Sequence, residues 1–358
     1  MTSECQNFSI RFLLLTAVCG FLLFSASCSQ SKDTHLARGE EYLQKRKFHE
    51  AVMEFRSAAD IDKSSAQAHW GLARAYENLG QFAETLDELR KTVELAPENL
   101  EAKAKLGNYF LLAKPPMIDE ATKALEQIFA RDDKYIEGYI LKASIFAAQG
   151  KSEAEVIEVL NEAIALNPNR TESYLSLARF FMSKDKAPEA EDAIKKGVAV
   201  NPNAALGYLE YGRFLDYANR AAEAEAQFAK AIEAEPANIE AREAQAEFYW
   251  AARAYEKAET AYKELVQIQQ NSPESRLQLG NFYALIGREE EALKVFNEIL
   301  ADTPEYVRAR YRLGEIYLDR KENEKVNEQV GVLLSINDDD AEALMLRARV
   351  KLQENKAE

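Results

Sequence analysis

Beyond residue 28 the chain contains no cysteine, and beyond residue 69 no histidine. Cys5, Cys19 and Cys28 all lie at the N-terminal end, so the long body that follows can form neither a disulfide nor a thiolate metal site. His35, His49 and His69 stop almost as early, which leaves no material downstream for a histidine-based catalytic centre or a zinc site. There is no Gly-rich phosphate loop, no Ser/His/Asp set and no cysteine nucleophile in that body, and paired carboxylates on exposed helix faces are too common to imply acid–base work. No cofactor and no metal are implied. Basic clusters are missing too: the net charge is −15, which argues against a nucleic-acid partner, since those surfaces gather Lys and Arg to displace counterions.

Long apolar runs are also scarce. The one that exists, residues 12–24 (FLLLTAVCGFLLF), is 13 residues long, follows a single cation at Arg11 and gives way to small residues. A bilayer-spanning helix needs about 20 apolar residues, so the run suits the apolar core of a secretory signal better than a stable anchor. The residues after it, Ser25-Ala26-Ser27-Cys28, resemble a bacterial lipoprotein signal, with Ala26 and Ser27 at the small positions and Ser25 where Leu is usual. The resemblance implies that Cys28 becomes an acylated N-terminus, and several acyl chains hold a protein at a membrane far more firmly than one. An uncleaved signal anchor and a plain cleaved signal are the alternative readings. Ser29 in place of Asp resembles lipoproteins sent to an outer membrane, so the expected location is the bacterial envelope, on the outer membrane facing the periplasm. Residues 29–32 form a tether of at most roughly 14 Å.

From residue 32 to 358 the chain repeats itself. Units start near 32, 66, 100, 136, 171, 205, 239, 273, 307 and 341, in steps of 34 except across 100–171, where two units share three extra residues. Part of that excess falls at AKPPMID, where Pro115 and Pro116 stop a helix and enlarge the turn. Within units, Leu72-Ala73, Tyr76, Gly80 and Pro97 recur as Leu279-Gly280, Tyr283, Gly287, Ala292, Phe296 and Pro304, and as Tyr208, Gly212, Ala224, Phe228, Ala231 and Pro236. This pattern resembles the tetratricopeptide repeat.

Elementary packing explains the pattern. Apolar residues at three- and four-residue spacing, as in EEALKVFNEIL, make both halves of each unit amphipathic helices. Small residues at one phase (Gly39, Ala73, Gly107, Ala143, Ala178, Gly212, Ala246, Gly280, Gly314) let the first helix approach its partner closely. Prolines 97, 168, 202, 236 and 304 end second helices. A lone pair cannot bury its apolar face, so neighbours must stack. The expected fold is all-α: a right-handed solenoid of antiparallel helix pairs, nine complete pairs and one extra helix, with no internal linker. The tenth unit is read as part of a longer array rather than as a cap, because Leu344 would stay partly exposed. Arg347 and Lys351 occupy partner-facing slots there, a cue that Arg38 in the first unit makes ambiguous.

In this family the inner wall is lined by first-helix residues and takes peptides or helices of other proteins. Counted in that register, the wall carries Trp70, Arg74 and Asn78, then Asn108, Leu111, Ile140, Leu175 and Arg179. It continues with Leu209, Arg213, Tyr217, Glu243, Glu247, Trp250, Leu277, Asn281, Tyr311 and Glu315. The alternative for each Trp is a gap-filler between helices. The Lys-Asn-Asn-Lys-Arg clamp of some co-chaperone members is absent, since Asn108 and Asn281 follow Ala104 and Leu277. The acidic run at 337–343 lacks the glycine of a calcium loop and reads as a turn between units. The expected function is a non-enzymatic scaffold tethered to an envelope membrane. The alternative is an accessory subunit of a polysaccharide synthesis or export, or surface-protein sorting, complex that contacts glycan through Trp70 and Trp250.

Overall fold

Short amphipathic helices separated by tight turns can bury their apolar stripes only against one another, and that is how the chain is built. The computed structural model describes residues 31–355, and within them the regular structure is nineteen helices and no strand. Cys28 and the apolar run before it lie outside the described residues. Backbone contacts divide the chain into two compact units, residues 1–200 and 201–358, which are described separately.

In the first unit α1 covers 31–44. It is followed by α2 (Phe48–Ile61), α3 (Ala66–Asn78), α4 (Phe82–Leu95), α5 (Leu100–Leu112), α6 (Ile118–Phe129), α7 (Ile136–Ala148), α8 (Glu153–Leu166), α9 (Thr171–Met182) and α10 (Ala187–Val200). The second unit contains α11 (Ala205–Tyr217), α12 (Ala221–Ala234), α13 (Ile239–Ala251), α14 (Tyr255–Ile268), α15 (Pro273–Leu285), α16 (Glu289–Asp302), α17 (Val307–Asp319), α18 (Asn323–Ile336) and α19 (Ala341–Asn355). Two of the three extra residues lie in the α5–α6 turn, residues 113–117, and the third in the α7–α8 turn, residues 149–152.

Where the small phase of a first helix is glycine, at 39, 107, 212, 280 and 314, it receives the ring of the partner helix or a leucine of the next first helix. A Cβ on Gly280 of α15 would come within 2.4 Å of the ring of Phe296 on α16, and Phe296 is fully buried. Phe55 of α2 sits between Gly39 of α1 and Gly71 of α3 in the same way. Burying such a ring contributes about 1.5–3 kcal/mol, which a side chain at the facing position would forfeit.

Turns between successive repeats are tied by a second device. The fourth residue of the incoming first helix reaches back to the carbonyl six residues earlier, a group that no helical N–H can satisfy. In the first unit the ties are His69 Nε2 to Lys63 O (3.2 Å), Lys103 Nζ to Pro97 O (2.9 Å), Tyr139 OH to Asp133 O (2.9 Å) and Tyr174 OH to Pro168 O (3.0 Å). In the second, Arg242 Nε donates to Pro236 O and Arg310 Nε to Pro304 O, each at 3.0 Å. Side-chain caps add to this: Ser152 and Glu155 form a reciprocal box at the start of α8, and Asn238 accepts from Ala241 N at α13.

Candidate functional site

First helices of the second unit leave one side uncovered by their partners, and three of them, α11, α13 and α15, line a cleft of about 470 Å³. Its floor is apolar: Phe228 of α12, Phe248 of α13 and Phe282 of α15 are all buried core rings whose edges reach the cleft. The wall above carries Arg213, Asp216, Glu243, Glu247, Trp250, Gln278, Asn281 and Leu285.

Exposure at the rim is uneven in an informative way. Trp250 keeps 40% of its surface open and Leu285 keeps 69%, while Tyr217, one turn beyond Arg213 on α11, keeps 76%. Leu285 and Tyr217 gain little from the fold, and all three leave apolar area to bury against a partner. Polar groups around them are partly spoken for. Arg213 donates to Glu210 Oε1 at 2.5 Å and to Glu240 Oε1 at 3.0 Å. Gln278 Nε2 donates to Glu243 Oε1 at 2.9 Å, whereas the side-chain carbonyl oxygens of Gln278 and Asn281 are buried with no hydrogen-bond partner. Burial, reinforced by the carboxylates of Glu247 and Glu243, pushes the hydroxyl of Tyr262 on α14 up to about 12.

Five of the wall residues read from the sequence, Arg213, Glu243, Glu247, Trp250 and Asn281, therefore meet in one cleft. Tyr311 of α17 instead donates its hydroxyl to Asp340 ahead of α19, and burial and that carboxylate push it above the usual tyrosine range. In the first unit, Trp70 is half-buried against the core and the Arg74 guanidinium lies 5.9 Å from its ring centre, with Arg74 Nη1 bonded to Glu40 Oε1 at 2.8 Å. Asn78 and Asn108 spend their amides on the backbone carbonyls of Arg74 and Ala104, and Arg179 donates to the Ser176 hydroxyl. Leu175, Leu209 and Leu277 are corrected: at 4%, 1% and 2% exposure they are core residues. The fifth position of a first helix sits at the edge of the core, so a leucine turns inward where Glu243 of α13 stays half-exposed. Leu285 and Asp216 are functional candidates that sequence reading passed over; Leu285 occupies the repeat slot of Asn78 and Tyr217, and counting that slot through would have found it.

Residues 36–114 and 215–275 match one family model described as tetratricopeptide repeat, and residues 286–350 match another of the same description. The chain belongs to the tetratricopeptide-repeat family. The repeats make it a protein–protein interaction module in outline, and no catalytic family is indicated. Among solved structures, the chain is similar to a chain in a crystal structure of the APC/C hetero-tetramer Cut9–Hcn1, at 13% identity and TM-score 0.42, over 83% of this chain. It spans 59% of the length of that neighbour. It is also similar to a thermophilic tetratricopeptide protein of Thermus thermophilus, at 21% identity and TM-score 0.40, over 52% of this chain and all of the other. No curated protein matches the sequence. Among the described residues no helix is long and apolar enough to cross a membrane, and no group of three or more potential ligands is placed to hold a metal ion.

Proposed function

We propose that this tetratricopeptide protein is a non-enzymatic scaffold of the bacterial envelope, tethered through an acylated Cys28, that holds segments of partner proteins on its first-helix faces. The observation that carries the binding half is the α11–α13–α15 cleft, where Trp250 and Leu285 leave apolar surface open beside charged groups. Open aromatic and aliphatic anchors with a polar surround are the composition of protein-binding hot spots. The tether half rests on the Ser25–Cys28 residues and the short reach from Cys28 to the first repeat. The broader pathway, polysaccharide export or surface-protein sorting, is an analogy of architecture.

The test is a crosslinked pull-down from membranes with a photoreactive residue at position 285, comparing the chain with its Cys28→Ala version. The expected result is protein adducts from the membrane fraction for the first and loss of membrane association for the second. Cys28→Ala remaining in the membrane after signal processing would end the tether reading. Adducts to glycan and to no protein would favour the accessory polysaccharide subunit, for which the partly exposed Trp250 offers aromatic surface.

A further inference from the structure

The cleft in the second unit has a definite electrical sign. Its lining holds one cation, Arg213, against three carboxylates, Asp216, Glu243 and Glu247. That one cation is already bonded to Glu210 and Glu240, two further carboxylates on α11 and α13. The next cleft along α15–α19 is acidic to a smaller degree, with Arg312 and Arg349 set against Glu289, Glu315 and Asp319. Apolar surface coincides with the more acidic stretch: Trp250 lines the first cleft and not the next, and Leu285 stands on the border between the two.

Resting on the scaffold reading above, we infer that the α11–α13–α15 cleft takes a lysine- or arginine-bearing segment of a partner protein that seats one large apolar side chain against Trp250 and Leu285. A volume of about 470 Å³ accommodates a few side chains of a segment rather than a folded domain. The carboxylates steer such a segment in and exclude acidic ones, since like charges placed together across an interface are costly. The exposed part of Trp250 serves the same partner twice, for apolar contact and for a cation beside the ring. The raised Tyr262 hydroxyl is consistent with this field, as Glu247 and Glu243 add to the effect of its burial.

A random dodecapeptide display library panned on the full chain tests the inference, with Trp250→Ala as the counter-selection and circular dichroism confirming that each variant folds. Peptides retained by the chain and lost on Trp250→Ala are expected to carry net positive charge and a large apolar residue. A retained peptide, measured by fluorescence anisotropy, is expected to bind about tenfold more weakly to Glu243→Gln/Glu247→Gln and progressively more weakly as salt rises. Neutral or acidic peptides that depend on Trp250 would overturn the charge assignment and leave the scaffold reading intact. No Trp250-dependent peptide at all would overturn the inference, while membrane crosslinking at position 285 decides the scaffold reading separately.

Discussion

At the scale of single residues, the turn inside each repeat carries a backbone demand that side chains obey unevenly. Gly80, Gly150 and Gly287 have φ of 69°, 71° and 78°, and the matching turns elsewhere place Arg46, Asp185, Asn219, Arg253 and Lys321 at φ of 55–60°. A left-handed conformation costs an ordinary L-residue roughly 1–2 kcal/mol, part of which glycine returns as chain entropy in the unfolded state. Arg253→Gly and Lys321→Gly are therefore expected to stabilise the chain by about 0.5–1 kcal/mol each, and Gly287→Ala to destabilise it by about 1 kcal/mol or more. Asn219→Gly should change little, because a short amide tolerates this conformation. The urea midpoint, followed by circular dichroism, reads all four, and a midpoint for Arg253→Gly at or below the parent value contradicts the account. These positions also mark a limit of sequence reading. Where the turn holds glycine its geometry is legible; at Arg253 or Lys321 nothing in the residue announces it, because the two flanking helices impose the turn.

At the scale of elements, neighbouring pairs in the second unit are locked by a tyrosine on a first helix and a glutamate on the preceding second helix. Tyr249 donates to Glu225 and Tyr283 to Glu259, both at 2.9 Å, one repeat apart. At Glu259 the Lys263 ammonium, 2.7 Å away, works against the burial of the carboxylate, and with Arg288 and the Tyr283 hydroxyl it brings the group from its ordinary 4.5 down to about 2. A depressed carboxylate stabilises the fold fully above its unfolded value, and the contribution disappears as pH falls from about 4.5 through about 2. Glu259→Gln should therefore lower stability at neutral pH by an amount on the order of 2 kcal/mol, allowing for residual exposure, and the gap between the two proteins should close towards pH 2. Urea unfolding of both at pH 7, 4 and 2.5 measures this, and a gap independent of pH would contradict it. These locks and the backward ties of His69, Lys103, Tyr139 and Tyr174 were not legible as devices. Each needs only a donor of the right length, so the residue type varies while apolar periodicity, which carried the helix-pair fold, stays constant.

At the scale of the whole molecule, the order of the repeats decides which parts respond together. In an array of helix pairs, stability is close to a sum of unit terms and nearest-neighbour interface terms, so damage spreads by contact rather than all at once. The same register that made the fold class readable grouped Arg213, Trp250 and Asn281 into one cleft. It failed at Leu175, Leu209 and Leu277, where the chemistry of the side chain, not its phase, chose core over surface. Gly280 offers a clean perturbation of this system, because Phe296 is fully buried and cannot swing away from a Cβ that would approach to 2.4 Å. Gly280→Ala should cost about 1–3 kcal/mol as overpacking. Hydrogen exchange should then quicken in α14–α17, whose helices share that packing, and stay unchanged in α1–α4. Loss of protection along the whole chain would mean that the repeats unfold as one block, and nearest-neighbour coupling would be the wrong description. Because the acidic cleft uses α15, the same variant should also loosen any segment bound against Trp250, which couples the stability of one repeat to the binding carried by three.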